Sequence, residues 1–176
     1  MVQGRWCDIA HLRYWALLSG KGGNLETSVR SALELMGFDT CEYKDEQHQF
    51  DAVFEADGQR YVGECEGRDN KQVDVGRLSQ AMRCVAEDLA LREVGKVAIG
   101  VLFGNGQRLL PLGERSAAFT DKVLAAAKQQ GIRLIETPDL FRVTLAIRDG
   151  AGPDFAERCR NAIKESTGGL VVFPTE

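Results

Sequence analysis

The sequence predicts an α/β domain built around one mixed β-sheet that helices flank. Segments with helical apolar spacing alternate with short apolar runs typical of strands, in the order α-β-β-β-α-β followed by α-β-α-α and a short tail. The run at 97–103 is apolar on both faces, which indicates a central strand covered by helices on both sides. A chain of 176 residues with 44% hydrophobic composition is long enough to bury the core of one domain. We therefore expect a single domain over residues 1–176.

The first predicted elements are two helices joined by a glycine-rich segment. Residues 1–23 indicate a lead-in helix whose end, 19–23, lacks the Gly-x4-Gly-Lys-Ser/Thr spacing of a phosphate-binding loop, so we interpret it as a hinge. The second helix begins with Asn24 as its cap and ends at Gly37, where a left-handed residue is expected. Glu26 lies in its first turn, where the helix dipole favours a carboxylate and where the side chain can also lean toward the sheet.

A first strand over 38–44 and a tight hairpin follow. The two arms of the hairpin, 50–56 and 59–66, are apolar runs separated by the dipeptide Asp57-Gly58. A two-residue type I′ turn requires positive φ, which an Asp-Gly pair accommodates, so this dipeptide is a strong hairpin signal. Such a short turn also fixes which residues face each other across the two strands.

The register of the hairpin places Asp51 directly opposite Glu64, with Glu66 on the same face. Three neighbouring carboxylates repel one another unless a cation lies between them, and carboxylate oxygens are ligands that Mg²⁺ and Mn²⁺ prefer. The alternative is a solvated acidic end of the hairpin. The apolar residues on both faces of the strands favour burial, which makes that alternative costly. We therefore predict a divalent-metal site here.

A polar loop over 67–72 and a helix over 73–91 come next. Five apolar residues at helical spacing predict the buried stripe of this helix: Val75, Leu78, Met82, Val85 and Leu89. The other face and the preceding loop carry the densest basic cluster near the carboxylates: Arg68, Lys71, Arg77, Gln80 and Arg83. Such a face either binds an anionic partner or is the solvated side of an amphipathic helix.

The C-terminal part continues the alternation of helices and strands. After the strand at 97–103, we predict a loop over 104–114, a helix over 116–130 and a strand over 132–136. A helix that Thr137 caps follows, then a helix over 153–168 that opens with Pro153, and a short terminal strand over 170–173.

Composition excludes several classes of protein. The net charge of −4 argues against a strong non-specific nucleic-acid binder, so any phosphate-binding surface must be a local basic patch. Five scattered cysteines without a CxxC pair are typical of a reducing compartment, and the presence of only two histidines argues against a zinc site of the Cys/His type. No segment is apolar enough to span a membrane, and we expect that the first 20 residues, which hold several charged side chains, are not a signal peptide. We expect a cytoplasmic protein.

The order of elements and the hairpin register resemble the PD-(D/E)XK nuclease superfamily, the restriction-endonuclease-like fold. The core of that family is αβββαβ, with an aspartate opening the second strand, a Glu-x-Lys on the third and often a glutamate on the first helix. Here 1–23 would be a lead-in segment and 24–103 the core, and 104–176 resembles the C-terminal extension of bacterial members. The family positions are occupied by Glu26, Asp51 and Glu64-Cys65-Glu66. Glu66 therefore replaces the lysine of the motif.

The resemblance implies a nuclease that depends on Mg²⁺ or Mn²⁺. Asp51, Glu64 and the backbone carbonyl of Cys65 would hold the metal, and Glu26 would bind a second ion or a coordinated water. Glu66 would activate the attacking water, since a carboxylate can act as general base. Four residues would contact the nucleic acid, with DNA favoured over RNA: Lys71, Arg68, Gln80 and Arg77. A glutamate cannot supply the positive charge of the family's lysine, for which Lys71 or Lys44 would have to reach in.

Two alternatives to a nuclease remain open from the sequence. The first is a catalytically degenerate domain that binds nucleic acid or a partner protein, which Glu66 and the acidic net charge favour. The second is a plain α/β interaction domain whose carboxylates are accidental. As partners we expect nucleic acid and either a second copy of the chain or a larger multi-domain assembly, within a bacterial defence or nucleic-acid-processing system.

Overall fold

The computed structural model describes residues 9–41, 50–91 and 96–176, with the backbone alone for 9–12. The predicted first strand continues into 42–49, and that part, which includes Lys44, lies outside the described residues, as does the start of the lead-in segment at 1–8.

The described elements follow the predicted order. They are α1 (Ile9–Ser19), α2 (Gly23–Leu35), β1 (Asp39–Cys41), β2 (Ala52–Ala56), β3 (Gln59–Gly67), α3 (Val75–Leu91), β4 (Ile99–Asn105), α4 (Asp121–Gln130), β5 (Arg133–Glu136), α5 (Thr137–Arg148), α6 (Pro153–Glu165) and β6 (Gly169–Leu170). The strands form one sheet in the order β1-β2-β3-β4-β5-β6, antiparallel up to β3 and parallel from β3 to β6. The prediction of a mixed sheet flanked by helices is confirmed.

Two helical layers cover the sheet, because alternate strand residues point to opposite faces. Phe54, Tyr61 and Phe103 pack into the core beneath α1, α2, α5 and α6. Val62 and Leu102 point the other way, toward the layer of α3 and α4. No described helix has both the length and the apolar character needed to cross a membrane.

The hairpin has the predicted register, with Ala56 opposite Gln59 and Ala52 opposite Gly63. Asp57 and Gly58 have φ values of 50° and 70°, as a type I′ turn requires. The ladder ends at Ala52, so Asp51 lies one residue before β2, where continuation of the register brings it beside Glu64.

The N-terminus of α2 differs from the prediction. Gly22, with a φ of 55°, is the cap, and the helix begins at Gly23. Asn24 therefore lies inside the first turn, where its carbonyl accepts a hydrogen bond from the Ser28 hydroxyl at 3.0 Å. Glycine reaches this φ without strain, so the chain can enter the helix earlier than a capping asparagine would allow. The predicted end is confirmed, because Gly37 has a φ of 85°.

The predicted buried stripe of α3 is wrong in phase. Three of its members are exposed: Val75 by 41%, Met82 by 40% and Leu89 by 48%. The buried residues of the helix are Leu78, Ala81, Cys84 and Asp88. Polar pairing explains the shift. Arg60 Nε donates to the buried Asp88 carboxylate at 2.9 Å, and the Cys84 thiol donates to Glu64 at 2.9 Å. An apolar pattern alone cannot reveal such partners.

Smaller corrections concern the C-terminal part. The helix predicted from residue 116 begins at Asp121, with Thr120 as its cap. Thr137 is the first residue of α5 rather than its cap, which is Glu136. The terminal strand is shorter than predicted and pairs with β5.

Candidate active site

Asp51 is fixed in place by two hydrogen bonds from different elements. Its Oδ2 accepts a hydrogen bond from the backbone N–H of Cys65 on β3 at 2.9 Å. Its backbone carbonyl accepts another from Nη1 of Arg30 on α2, also at 2.9 Å. The aspartate is therefore held between the third strand and the helix that carries Glu26.

Glu64 lies on the α3 face of β3 and is 5% exposed. Burial is the main cause that raises its pKa to about 7; the hydrogen bond from Cys84 opposes this, and the nearby charge of Asp51 adds to it. Asp51 raises the pKa of Glu64 because neighbouring carboxylates repel one another. The hairpin register predicts that these two residues are neighbours. A cation beside this carboxyl would favour its ionised form.

Cys65 follows Glu64 on β3 and contacts Asp51 through its backbone N–H. Its N–H points to Asp51, and in a strand the N–H and C=O of one residue point to the same side, so its carbonyl is directed there too. Burial raises the pKa of its thiol well above the usual value, and the charges of Asp51, Glu26 and Glu64 add to the effect. Cys65 thus lies within the electrostatic influence of all three predicted acidic ligands, toward the C-terminal end of β3.

Glu66 is held between two arginines. Its Oε1 is 2.8 Å from Nε of Arg68, and its Oε2 is 3.1 Å from Nε of Arg77, while its side chain is 13% exposed. Arg77 also donates to Gln80 at 2.8 Å. Two of the four residues predicted to contact nucleic acid, Arg68 and Arg77, therefore meet at this glutamate, and a third, Gln80, contacts Arg77.

The fourth, Lys71, lines an open cleft of about 490 Å³ at the C-terminal end of β3, together with Lys21, Arg68 and Asp69. Asp69 Oδ1 is 2.8 Å from Nε of Arg108 and 3.9 Å from Nζ of Lys21. Cations thus reach the cleft from three separate segments of the chain.

The glycine-rich segment between α1 and α2 forms one wall of this cleft. Asn105 donates to the carbonyl of Gly20 at 2.9 Å, and Arg108 donates to the carbonyl of Ser19 at 2.5 Å. A Cβ atom on Gly67 would lie 2.7 Å from both the Gly20 oxygen and Cβ of Lys21, so the close approach requires glycine there.

Sequence reasoning missed Arg30, Cys84, Lys21 and Arg108. Two of them had a signal. Arg30 lies one turn after Glu26 on the same helix face. Arg108 follows β4, and the carboxyl ends of parallel neighbours such as β3 and β4 meet at one edge of the sheet.

The donor set suits one hard cation. Within the described ranges, no three His, Cys, Asp or Glu side chains are grouped so as to hold a metal ion. Continuation of the hairpin register places Asp51 beside Glu64, and Asp51 accepts a hydrogen bond from the Cys65 N–H. Mg²⁺ typically binds one or two carboxylates and keeps several waters. The buried carboxyl with its raised pKa fits such an ion. The four-ligand set with Glu26 remains a prediction.

The αβββαβ order, the mixed sheet and the two helical layers define a restriction-endonuclease-like fold. The solved structure of restriction endonuclease FokI is similar, with a TM-score of 0.59 and 11% sequence identity over 96% of this chain. The chain spans 32% of the length of that FokI chain. No protein-family model and no curated protein matches the sequence. At this identity the likeness shows the fold alone.

Proposed function

We propose that this chain is a divalent-metal-dependent nuclease that hydrolyses phosphodiester bonds, with DNA favoured over RNA as substrate. The observation that carries the proposal is the pair of half-buried Asp51 and buried Glu64 on the hairpin of this fold, with two arginines beside it. Hydrolysis joins the hydroxyl of one water to phosphorus, breaks a P–O bond and leaves the other proton on the departing oxygen.

Asp51, Glu64 and the carbonyl of Cys65 would hold Mg²⁺ or Mn²⁺. When bound, such an ion lowers the pKa of a coordinated water and neutralises charge on the phosphate. The protein keeps the ligands in place: the Cys65 N–H orients the Asp51 carboxylate, and the Cys84 thiol orients that of Glu64. These hydrogen bonds preorganise the carboxylates before a metal arrives.

Glu26 is proposed to bind a second ion or a water of the first. It is 8% exposed and lies on α2, one turn from Arg30, which contacts Asp51. Glu66 was predicted to be the general base. That role would require its carboxylate to leave Arg68 and Arg77, so the geometry favours a different role, developed below.

The second candidate is a degenerate nuclease fold that binds nucleic acid or a partner protein. The replacement of the motif lysine by Glu66 favours it. A role within a larger assembly is consistent with the FokI likeness, in which the matching part is a fraction of a longer chain.

Plasmid and single-strand cleavage with Mg²⁺ or Mn²⁺ tests the proposal. Asp51→Asn keeps the size and the hydrogen-bond acceptor of the side chain but removes its charge, and we expect it to abolish cutting. Glu55→Gln is the matched control, because Glu55 lies on β2 on the same face and pairs with Arg60, away from the site. If the wild type cuts neither DNA nor RNA but still shifts nucleic acid in a gel, the second candidate replaces the first.

A further inference from the structure

The cluster at the position of the missing lysine has an unusual composition. One carboxylate, Glu66, binds the Nε atoms of two arginines, Arg68 and Arg77. Together the three side chains carry a single positive charge, the same as one lysine. Asp74, at the rim of the cluster, has its Oδ2 3.3 Å from Nη2 of Arg68. Its side chain is 51% exposed, so water screens its charge.

The two arginines keep donors for a ligand. Arg68 donates a hydrogen bond from Nη2 to Asp74, and its Nε is 2.8 Å from Glu66 as an ion pair without a hydrogen bond. Arg77 donates from Nη1 to Gln80, and its Nε is 3.1 Å from Glu66 as an ion pair. The remaining Nη1 of Arg68 and Nη2 of Arg77 bond to no other residue in the described part of the chain. Guanidinium groups bind phosphate oxygens through such NH₂ groups with high geometric specificity.

The cluster is also close to the proposed metal ligands. Glu66 is two residues beyond Glu64 on the same face of β3. Arg77 lies in the first turn of α3, the helix whose Cys84 contacts Glu64. Arg68 opens the loop that lines the cleft with Lys71. A phosphate held at Asp51 and Glu64 would therefore have both arginines at one side.

We propose that Glu66 is a positioning residue that holds Arg68 and Arg77 beside the carboxylate pair, where the two guanidiniums bind the scissile phosphate and supply the positive charge of the absent lysine. The inference rests on the proposed nuclease function. It assigns the glutamate a structural task and gives the electrostatic task to the arginines, which stabilise negative charge as it develops on the phosphate during attack.

Three variants test this assignment: Arg77→Gln, the double variant Arg68→Gln/Arg77→Gln, and Glu66→Gln. We expect Arg77→Gln to lower kcat by about 10²–10³-fold, the effect of losing one preorganised donor to a developing charge. Its Mn²⁺ affinity, read by calorimetry, should stay equal or rise, because a positive neighbour of the metal is removed. Arg142→Gln, on α5 and remote from the cluster, is the control and should cut like the wild type. Thermal melts identify any variant that fails to fold.

If Glu66 is instead the general base, the double variant should retain or gain activity, because the two substitutions free the Glu66 carboxylate to contact water. Cleavage by Arg68→Gln/Arg77→Gln at or above the wild-type rate would overturn the inference while leaving the nuclease proposal intact. A wild type without cleavage would overturn both.

A triple variant, Glu66→Lys/Arg68→Gln/Arg77→Gln, gives a second test with one lysine in place of the cluster. It should cut faster than the double variant, because the single charge is restored. Glu66→Lys alone should lose activity, since three cations then crowd one site. Greater activity of the single Glu66→Lys variant than of the wild type would contradict the assigned role of the arginines.

Discussion

The stability of the metal-free protein should depend on pH through Glu64. Burial raises the pKa of this carboxyl from its usual 4.5 to about 7, so the folded protein resists its ionisation while the unfolded chain does not. The stabilising contribution is fully present below the unfolded pKa and is lost as the pH rises toward the folded pKa. Replacement by the neutral isostere in Glu64→Gln removes this dependence and keeps an acceptor for the Cys84 thiol.

The size of the effect follows from the shift. At about 1.4 kcal/mol per pKa unit, the shift corresponds to about 3 kcal/mol. The free energy of unfolding of Glu64→Gln relative to the wild type should therefore rise by about 3 kcal/mol between roughly pH 4 and roughly pH 8.

Urea unfolding of both proteins with EDTA over this pH range measures the difference. Glu157→Gln, an exposed carboxylate on α6, is the matched control and should show no such trend. Mn²⁺ should reduce the difference in the free energy of unfolding between the two proteins at alkaline pH, because it stabilises only the folded protein that binds it. A difference that stays flat across the range would refute the burial of an uncompensated carboxylate at this position.

Two further predictions concern the scaffold of the site. Arg60→Ala should destabilise the fold by about 3–5 kcal/mol, because it leaves the buried Asp88 carboxylate without its partner at 2.9 Å; urea denaturation measures the loss, and a variant as stable as the wild type would contradict it. Gly67→Ala should displace the turn at Gly20, since its Cβ would lie 2.7 Å from that carbonyl oxygen; amide hydrogen exchange of the turn should increase, and unchanged protection would contradict the close packing.

The hairpin is the part of the site that the sequence predicts best. A two-residue Asp-Gly turn has one register, and that register alone places Asp51 beside Glu64. The alternation of side chains along a strand and the geometry of a tight turn are local properties, so the sequence alone predicts the register of the hairpin.

The phase of α3 could not be predicted in the same way. Its apolar residues occur at helical spacing on more than one face, and the face that is buried includes Cys84 and Asp88. The partners of these two residues, Glu64 and Arg60, lie on a strand far away in sequence. Pairing of this kind belongs to the tertiary structure and overrides apolar periodicity.

The surroundings of Glu66 were also beyond sequence reasoning. Its substitution for lysine was visible in the motif, but its two partners come from a loop and from the first turns of a helix. The motif position predicts water activation for this glutamate, because a carboxylate can act as general base. The short distances from Glu66 to Arg68 and Arg77 favour these two arginines as the source of the positive charge that a lysine would supply.

Calorimetric titration of the wild type with Mn²⁺ at about pH 8 tests the central claim most directly, namely that Asp51 and Glu64 form a cation site. We expect saturable binding by the wild type and by Glu55→Gln, and loss of that binding in Asp51→Asn. Absence of binding at millimolar Mn²⁺, or equal binding by Asp51→Asn, would contradict the claim.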